Sequence, residues 1–312
     1  MGKKPKKGQK KNKVANNTNT AVDKKPSQDL SKKDAIIFEK MMKLHDSENY
    51  NKGISLCDQV LKRNPHHGET LAMKGLLYTL TNQEEQGLNY IKQGIAKNMM
   101  SGIVWMCYGR YYRHKCLYED ALKCFQRAIK FKKGDILLLN DIALLQLHLR
   151  KYKAYAESRR QIVVIEAKAV NWINYAVATH LSKSYKKALL ILDTYLDTLK
   201  GQYDYKVGEL RLYRVQILQD SGRYQEALTY LLSIHDNLAD QTTSLEKQGE
   251  LYLLLNQYQQ ANVIYKQLLK QNTEDYHYHD GLIASLQVSK PYSDEDLSIL
   301  KTNISNSLIT LE

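Results

Sequence analysis

Between Gly102 and Ala128 the chain reads GIVWMCYGRYYRHKCLYEDALKCFQRA, and this stretch decides the fold. Trp105, Tyr108, Gly109 and Tyr112 are spaced i, i+3, i+4, i+7, so they share one helical face. Ala121, Phe125 and Ala128 do the same on a second helix. Lys115 to Tyr118 leaves room between them for a tight turn. Large residues on one helix need small ones opposite, and Gly109 and Ala121 supply that close approach. One such hairpin cannot bury its apolar face alone, so neighbours are required.

The neighbours stand at a regular step of about 34 residues. Gly68 leads Leu71, Lys74, Gly75 and Tyr78, then Gly87, Ile91 and Gly94. A unit from Asp34 holds Ile37, Met41 and Leu44, then Tyr50, Gly53, Cys57, Val60 and a closing Pro65. Later units begin at Ile136, near Ala169, near Gly208 and near Thr242, with a partial eighth near Tyr276 that fades at Pro291. In the Ile136 unit the second helix is degenerate, with Tyr155 and Arg159 where Ala and an aromatic are expected. A Tyr before the small residue (Tyr50, Tyr118, Tyr152, Tyr185, Tyr224, Tyr258) marks the register, and core packing accounts for these rings. The pattern resembles the tetratricopeptide repeat. The predicted class is all-α: a right-handed superhelix of helical hairpins, seven and part of an eighth, over residues 34–290. Residues 291–312 read as a partial repeat or extension.

The net charge of +13 is unevenly placed. Residues 1–33 hold eleven lysines against Asp23 and Asp29, a charge of +9. That tail has few apolar residues and no period, so it is expected to be disordered. Lys3, Lys4, Lys6, Lys7, Lys10, Lys11 and Lys13 form an electrostatic arm suited to nucleic-acid phosphates, with a solubilising tail or import signal as the alternative. Arg110, Arg113, Lys132 and Lys133, interleaved with aromatics on the array, are candidates for a second, weaker contact; an ordinary solvated face is the commoner explanation of such clusters.

No apolar run reaches the eighteen residues that a membrane span requires. No apolar segment follows the first lysines, so they do not read as a secretory signal. Lys6 stands where an N-myristoylation start wants Ser or Thr. The cysteines Cys57, Cys107, Cys116 and Cys124 lack C-x2-C spacing and read as buried thiols of a reducing compartment. His277 and His279 point to different helical faces, which disfavours a metal site. Nucleotide, zinc-protease and serine-hydrolase motifs are missing from the sequence. Gln219-Asp220-Ser221-Gly222 begins an acetyl-CoA loop pattern, but Tyr224 ends it wrongly. The chain itself is therefore predicted not to be an enzyme, with no cofactor and no small-molecule substrate. The positions that should face a groove are mostly apolar: Phe38, Met42, Ile103, Met106, Leu144 and Val177. Such a groove suits helices or an apolar protein surface rather than an acidic chaperone tail; burial of these positions by the winding of the superhelix itself is the alternative.

The run His67-Gly68-Glu69-Thr70-Leu71-Ala72-Met73-Lys74-Gly75-Leu76 resembles the second-repeat signature of the auxiliary subunit of NatA, the ribosome-associated N-terminal acetyltransferase. Further similarities follow in order. They include Leu144-Leu145-Gln146 with Arg150, Tyr155, Glu157 and Arg159; Trp172 with Tyr175-Ala176; Gly222 with Tyr224 and Glu226; and Lys247 with Gly249-Glu250-Leu251. The resemblance implies a non-catalytic, cytoplasmic subunit that wraps a catalytic GNAT-fold acetyltransferase and anchors it at the ribosome. It implies acetylation of nascent chains whose initiator Met is gone. Members of that family are longer, and their later repeats make most catalytic-subunit contacts and hold an inositol phosphate. This chain stops near the eighth repeat and reads as a fragment or a short paralogue. The alternative is a general repeat scaffold, such as a co-chaperone or assembly factor.

Overall fold

A computed structural model of the chain describes residues 30–46, 49–199 and 205–286, with residues 298 and 302 besides. The lysines of the proposed arm lie outside the described residues, as does most of 291–312. The chain divides into two compact units, Met1–Asn98 and Met99–Glu312. Every described element is helical, and no strand occurs among the described residues.

The first unit holds α1 (Lys32–Asp46), α2 (Tyr50–Arg63), α3 (Gly68–Leu80) and α4 (Glu84–Lys97). The second holds α5 (Gly102–His114), α6 (Tyr118–Phe131), α7 (Ile136–His148), α8 (Tyr152–Ile165), α9 (Ala169–Leu181) and α10 (Tyr185–Asp197). It continues with α11 (Tyr205–Asp220), α12 (Tyr224–Ile234), a 3-10 turn at His235–Asn237, α13 (Gln241–Leu254), α14 (Tyr258–Gln271) and α15 (Tyr276–Ser285). Helix starts at Gly68, Gly102, Ile136, Ala169 and Tyr276 coincide with the expected repeat starts. The starts of α1, α11 and α13 come one to three residues earlier than expected. The register tyrosines are the first residues of α2, α6, α8, α10, α12 and α14. All six are half-buried rather than enclosed. Tyr118 stands edge-on to His148 at 4.2 Å and Tyr185 packs on His180 at 5.6 Å.

One turn joins the paired helices six times. The residue two before each second helix has positive φ: Asn82, Cys116, Arg150, Lys183, Gly222 and Asn256, between 54° and 78°. The next amide then bonds the carbonyl five residues back. Gln83 N donates to Tyr78 O at 2.9 Å, Leu117 N to Tyr112 O at 2.9 Å and Lys151 N to Gln146 O at 2.8 Å. Ser184, Arg223 and Gln257 repeat this onto Thr179, Leu218 and Tyr252. This is the Schellman closure, which satisfies carbonyls that a helix end leaves open. Only Gly222 takes the left-handed backbone without a steric cost. Most of the opposite turns are closed by side chains, the start of α9 at Lys168 being an exception. His67 Nδ1, Ser101 Oγ, Asp135 Oδ1, Asp240 Oδ1 and Asp275 Oδ1 accept amides of the helix that follows each.

Small residues set the distance between paired helices. A Cβ on Gly75 would lie 2.5 Å from Gly87 O, and one on Gly87 would lie 2.7 Å from Gly75 O. Gly68 and Gly94 block each other in the same way. In the second unit a Cβ on Gly109 would meet the fully buried Phe125 ring at 2.5 Å. The fourth hairpin shifts this scheme along the second helix: Tyr155 stands where Ala121 stands on α6, four residues before the position of Phe125, and packs with Ala143 and Ala178 on the neighbouring first helices.

Trp105 is buried, donates its Nε1–H to Met99 O at 2.8 Å and carries the Arg127 guanidinium over its ring at 4.6 Å. In the first unit Asp34 is buried at the start of α1. It accepts from Arg63 Nε at 2.8 Å, from Arg63 Nη2, from Asn64 Nδ2 at 3.1 Å and from Ser31 Oγ at 2.9 Å. This cluster ties α1 to the end of α2. The bond from Arg63 holds the Asp34 carboxyl below its ordinary range, although burial opposes it.

Two predictions follow from these features. Gly222→Ala should destabilise the second unit by about 1 kcal/mol in urea unfolding, whereas Lys183→Gly should leave it equal or slightly more stable. Because the folded pKa of Asp34 is depressed, its stabilising contribution is present above the unfolded carboxylate value of about 3.9 and is lost as pH falls through the lower folded value. Asp34→Asn should remove that acid-sensitive step from the first unit; an unchanged pH profile of hydrogen exchange in α1 and α2 would refute the assignment.

Candidate interaction surfaces

The apolar set named for a groove is not uniformly available. Phe38 is half-buried on α1, with its ring edge-on to His67 at 5.9 Å. Met42 lies on the same helix, and its side chain is outside the described residues. In the second unit Met106 is buried, Ile103 and Val177 are half-buried, and Leu144 is 54 % exposed. Leu144 is thus the most accessible of the four on the first helices of that unit.

The basic clusters are likewise divided. Arg110 is half-buried. Arg113 Nη1 bonds Asp141 Oδ1 at 2.9 Å, which joins α5 to α7. Lys132 Nζ stands 3.5 Å from Asp135, and its stem lies against Gly102. Lys133 is exposed. Arg113 and Lys132 therefore hold neighbouring elements together as well as presenting charge.

Several buried polar groups were not legible in the local pattern. Lys74, inside the His67–Leu76 run, is buried. Its ammonium bonds Asp58 Oδ1 at 2.7 Å and Tyr90 Oη at 3.2 Å, and sits 4.4 Å from the Tyr90 ring centre. Burial alone would lower its pKa, but the Asp58 and Tyr90 bonds outweigh it and hold the amine above its ordinary value. The lysine is therefore a charged bracket between α2, α3 and α4 rather than a surface cation. His67, the cap of α3, is pushed down by burial, so its neutral ring is favoured as the acceptor for Thr70 N.

The supposedly degenerate Arg159 is buried and donates from Nη1 to Asn140 Oδ1 at 2.7 Å. Beside it Ser158 Oγ donates to Gln146 Oε1 at 2.8 Å. His180 Nδ1 meets Tyr213 Oη at 2.9 Å, and its Nε2 stands 3.1 Å from Asp220. Burial pushes Tyr213 up to about 12, so its phenol keeps its proton at neutral pH. This His–Tyr–Asp group spans α9 and α11 and reads as a repeat-to-repeat clamp. Cys57, Cys107 and Cys124 are buried and Cys116 is exposed; burial pushes the Cys124 thiol up to about 11. No cluster of three or more metal-ligating side chains occurs among the described residues, and no described helix is long and apolar enough to cross a membrane. The Gln219–Gly222 stretch is the closing turn of α11, with Gly222 at φ 78°.

The family described as "N-terminal acetyltransferase A, auxiliary subunit" matches residues 205–307. The chain is 32% identical over 267 residues to N-alpha-acetyltransferase 16, NatA auxiliary subunit, of Homo sapiens, covering 83% of this chain and 31% of the human protein. It is 30% identical over 280 residues to the N-terminal acetyltransferase A complex auxiliary subunit NAA15 of Arabidopsis thaliana, covering 87% of this chain and 31% of that protein. Among solved structures, the Naa15/Naa10 complex bound to HypK-THB aligns with a TM-score of 0.75 at 27% identity, over 88% of this chain and 42% of that one. The chain thus spans about a third of the length of the curated relatives it matches. In sequence and in fold, the chain is a relative of the NatA auxiliary subunits, as the His67–Leu76 run implied.

Proposed function

We propose that this chain serves as a non-catalytic scaffold within a NatA-type N-terminal acetyltransferase in the cytoplasm. The observation that carries this reading is the alignment with the Naa15/Naa10 complex along 88% of the chain. The partner is a catalytic GNAT-fold subunit, held by the accessible apolar positions of the first helices, of which Leu144 is the most exposed. The described residues support the scaffold role in another way. Their buried ionisable groups (Asp34, Lys74, Arg159) are bonded to neighbouring elements, so they maintain the array rather than presenting reactive atoms. Recruitment to the ribosome falls to the Lys-rich arm, since lysine neutralises phosphate backbone without reading bases.

Two measurements test this proposal. Co-expressed with its catalytic partner, the chain should co-purify with it and raise acetylation of a Ser-starting peptide, while the chain alone stays inactive. Acetylation by the chain alone, or failure to co-purify, would overturn the scaffold assignment. For the arm, engagement of about five lysines makes log affinity for ribosomes fall with log salt at a slope of roughly −3.5 to −4.5. Replacing Lys3, Lys4, Lys6, Lys7, Lys10, Lys11 and Lys13 with Gln should flatten that slope. Co-sedimentation equal to the parent from about 50 to 200 mM salt would remove the arm from the ribosome contact.

A further inference from the structure

A cleft of about 480 Å³ lies in the second unit, where the end of α6, the start of α7 and the last turns of α8 meet. Its floor is aliphatic, with Leu139, Val164 and Ile165, and its rim is cationic, with Lys130, Lys133 and Arg160. Asp and Glu are missing from its lining. Val164 is 74% exposed and Ile165 46%. Lys130 and Lys133 are both exposed. Arg160 is bonded twice to Glu157, at 2.9 and 2.6 Å, so Glu157 faces its own helix neighbour. Glu166 next to Ile165 is held by Lys168 at 2.7 Å.

Exposed aliphatic side chains gathered in a concavity mark a binding surface more often than ones scattered singly. We infer that this cleft is a docking site for an acidic peptide segment of a partner protein, one that seats a bulky apolar side chain on Val164 and Ile165 between carboxylates facing Lys130 and Lys133. Charge decides the class of occupant. The chain's own Lys-rich tail has the same sign as the rim and is repelled. Nucleic acid would suit the cations, but the floor has no ring on which to stack a base. The volume fits one or two large side chains, and the cations flanking them supply orientation and salt-sensitive association. No residue lining the cleft is among the first-helix positions assigned above to the catalytic partner, so substitutions at the two surfaces test the two proposals independently.

The test is a selection of random phage-displayed 12-mer peptides on the full chain, with fluorescence anisotropy on the recovered sequences. The peptides recovered should combine Asp or Glu with Leu, Ile or Phe. Their affinity should fall at least tenfold in Val164→Asp and in the Lys130→Glu, Lys133→Glu double variant. It should fall several-fold as salt rises from about 50 to 300 mM, since the rim charges are exposed. All three positions are exposed or at the cleft, and circular dichroism melting of each variant should match the parent; Val164→Ser provides a milder second variant if it does not. Recovery of no acidic peptide, or binding that these substitutions leave unchanged, overturns the inference. Competition by single-stranded oligouridine as strong as by the acidic peptide does so too, and reassigns the cleft to nucleic acid.

Discussion

The distance between paired helices is the constraint on which everything else in this protein depends. At α3 and α4 it is set by backbone against backbone, because Gly68 faces Gly94 and Gly75 faces Gly87 with no room for a Cβ. At α5 and α6 it is set by a ring lying on a missing side chain, Phe125 on Gly109. Tyr265 on α14 extends the device in both directions: a Cβ on Gly249 would lie 2.9 Å from that ring, and one on Gly281 would lie 2.2 Å from it. One side chain thereby fixes its own hairpin and the start of the next. In a repeat array stability is carried by such neighbour terms, since no single core encloses all units.

The paired-helix distance was legible because it leaves a periodic trace. Gly and Ala recur where large residues recur opposite, and the helix starts at Gly68, Gly102 and Ile136 follow directly. The turns were harder to read. Left-handed residues are usually announced by Gly or Asn, yet Cys116, Arg150 and Lys183 occupy that place here. Their conformation is imposed by the Schellman bonds around them, which local propensity does not reveal. Tyr155 and Arg159 looked like decay of the pattern for a related reason. The fourth hairpin places its large residue, Tyr155, one turn earlier on the second helix and fills the usual aromatic position with Arg159, which bonds Asn140 while Ser158 bonds Gln146.

The candidate surfaces were less legible than the fold, and the cause is sequence separation. Arg113 looks like part of a basic stripe until Asp141, on the next first helix, is seen to bond it. Lys74 stands at a repeat position, but its partners Asp58 and Tyr90 converge on it from α2 and α4. Each partner is a repeat or half a repeat away, outside any window used to recognise a helix. The cleft above α6 and α8 escaped for the same reason, since Lys130 and Val164 meet only once the hairpins are stacked.

These internal pairings bear on what kind of work the chain can do. A catalytic group needs an unsatisfied lone pair or proton facing a substrate, within a site that excludes water. Asp34, Lys74 and His180 instead have their polar atoms turned toward neighbouring helices, and Cys124 is held as a buried thiol. Groups of another kind stand open on the described surface: Leu144 on a first helix, Val164 and Ile165 beside a cationic rim, and exposed cations such as Lys133. Those are groups that recognise apolar side chains and fixed charges. Such groups fit the scaffold role proposed above, in which the chain's contribution is contact rather than reaction.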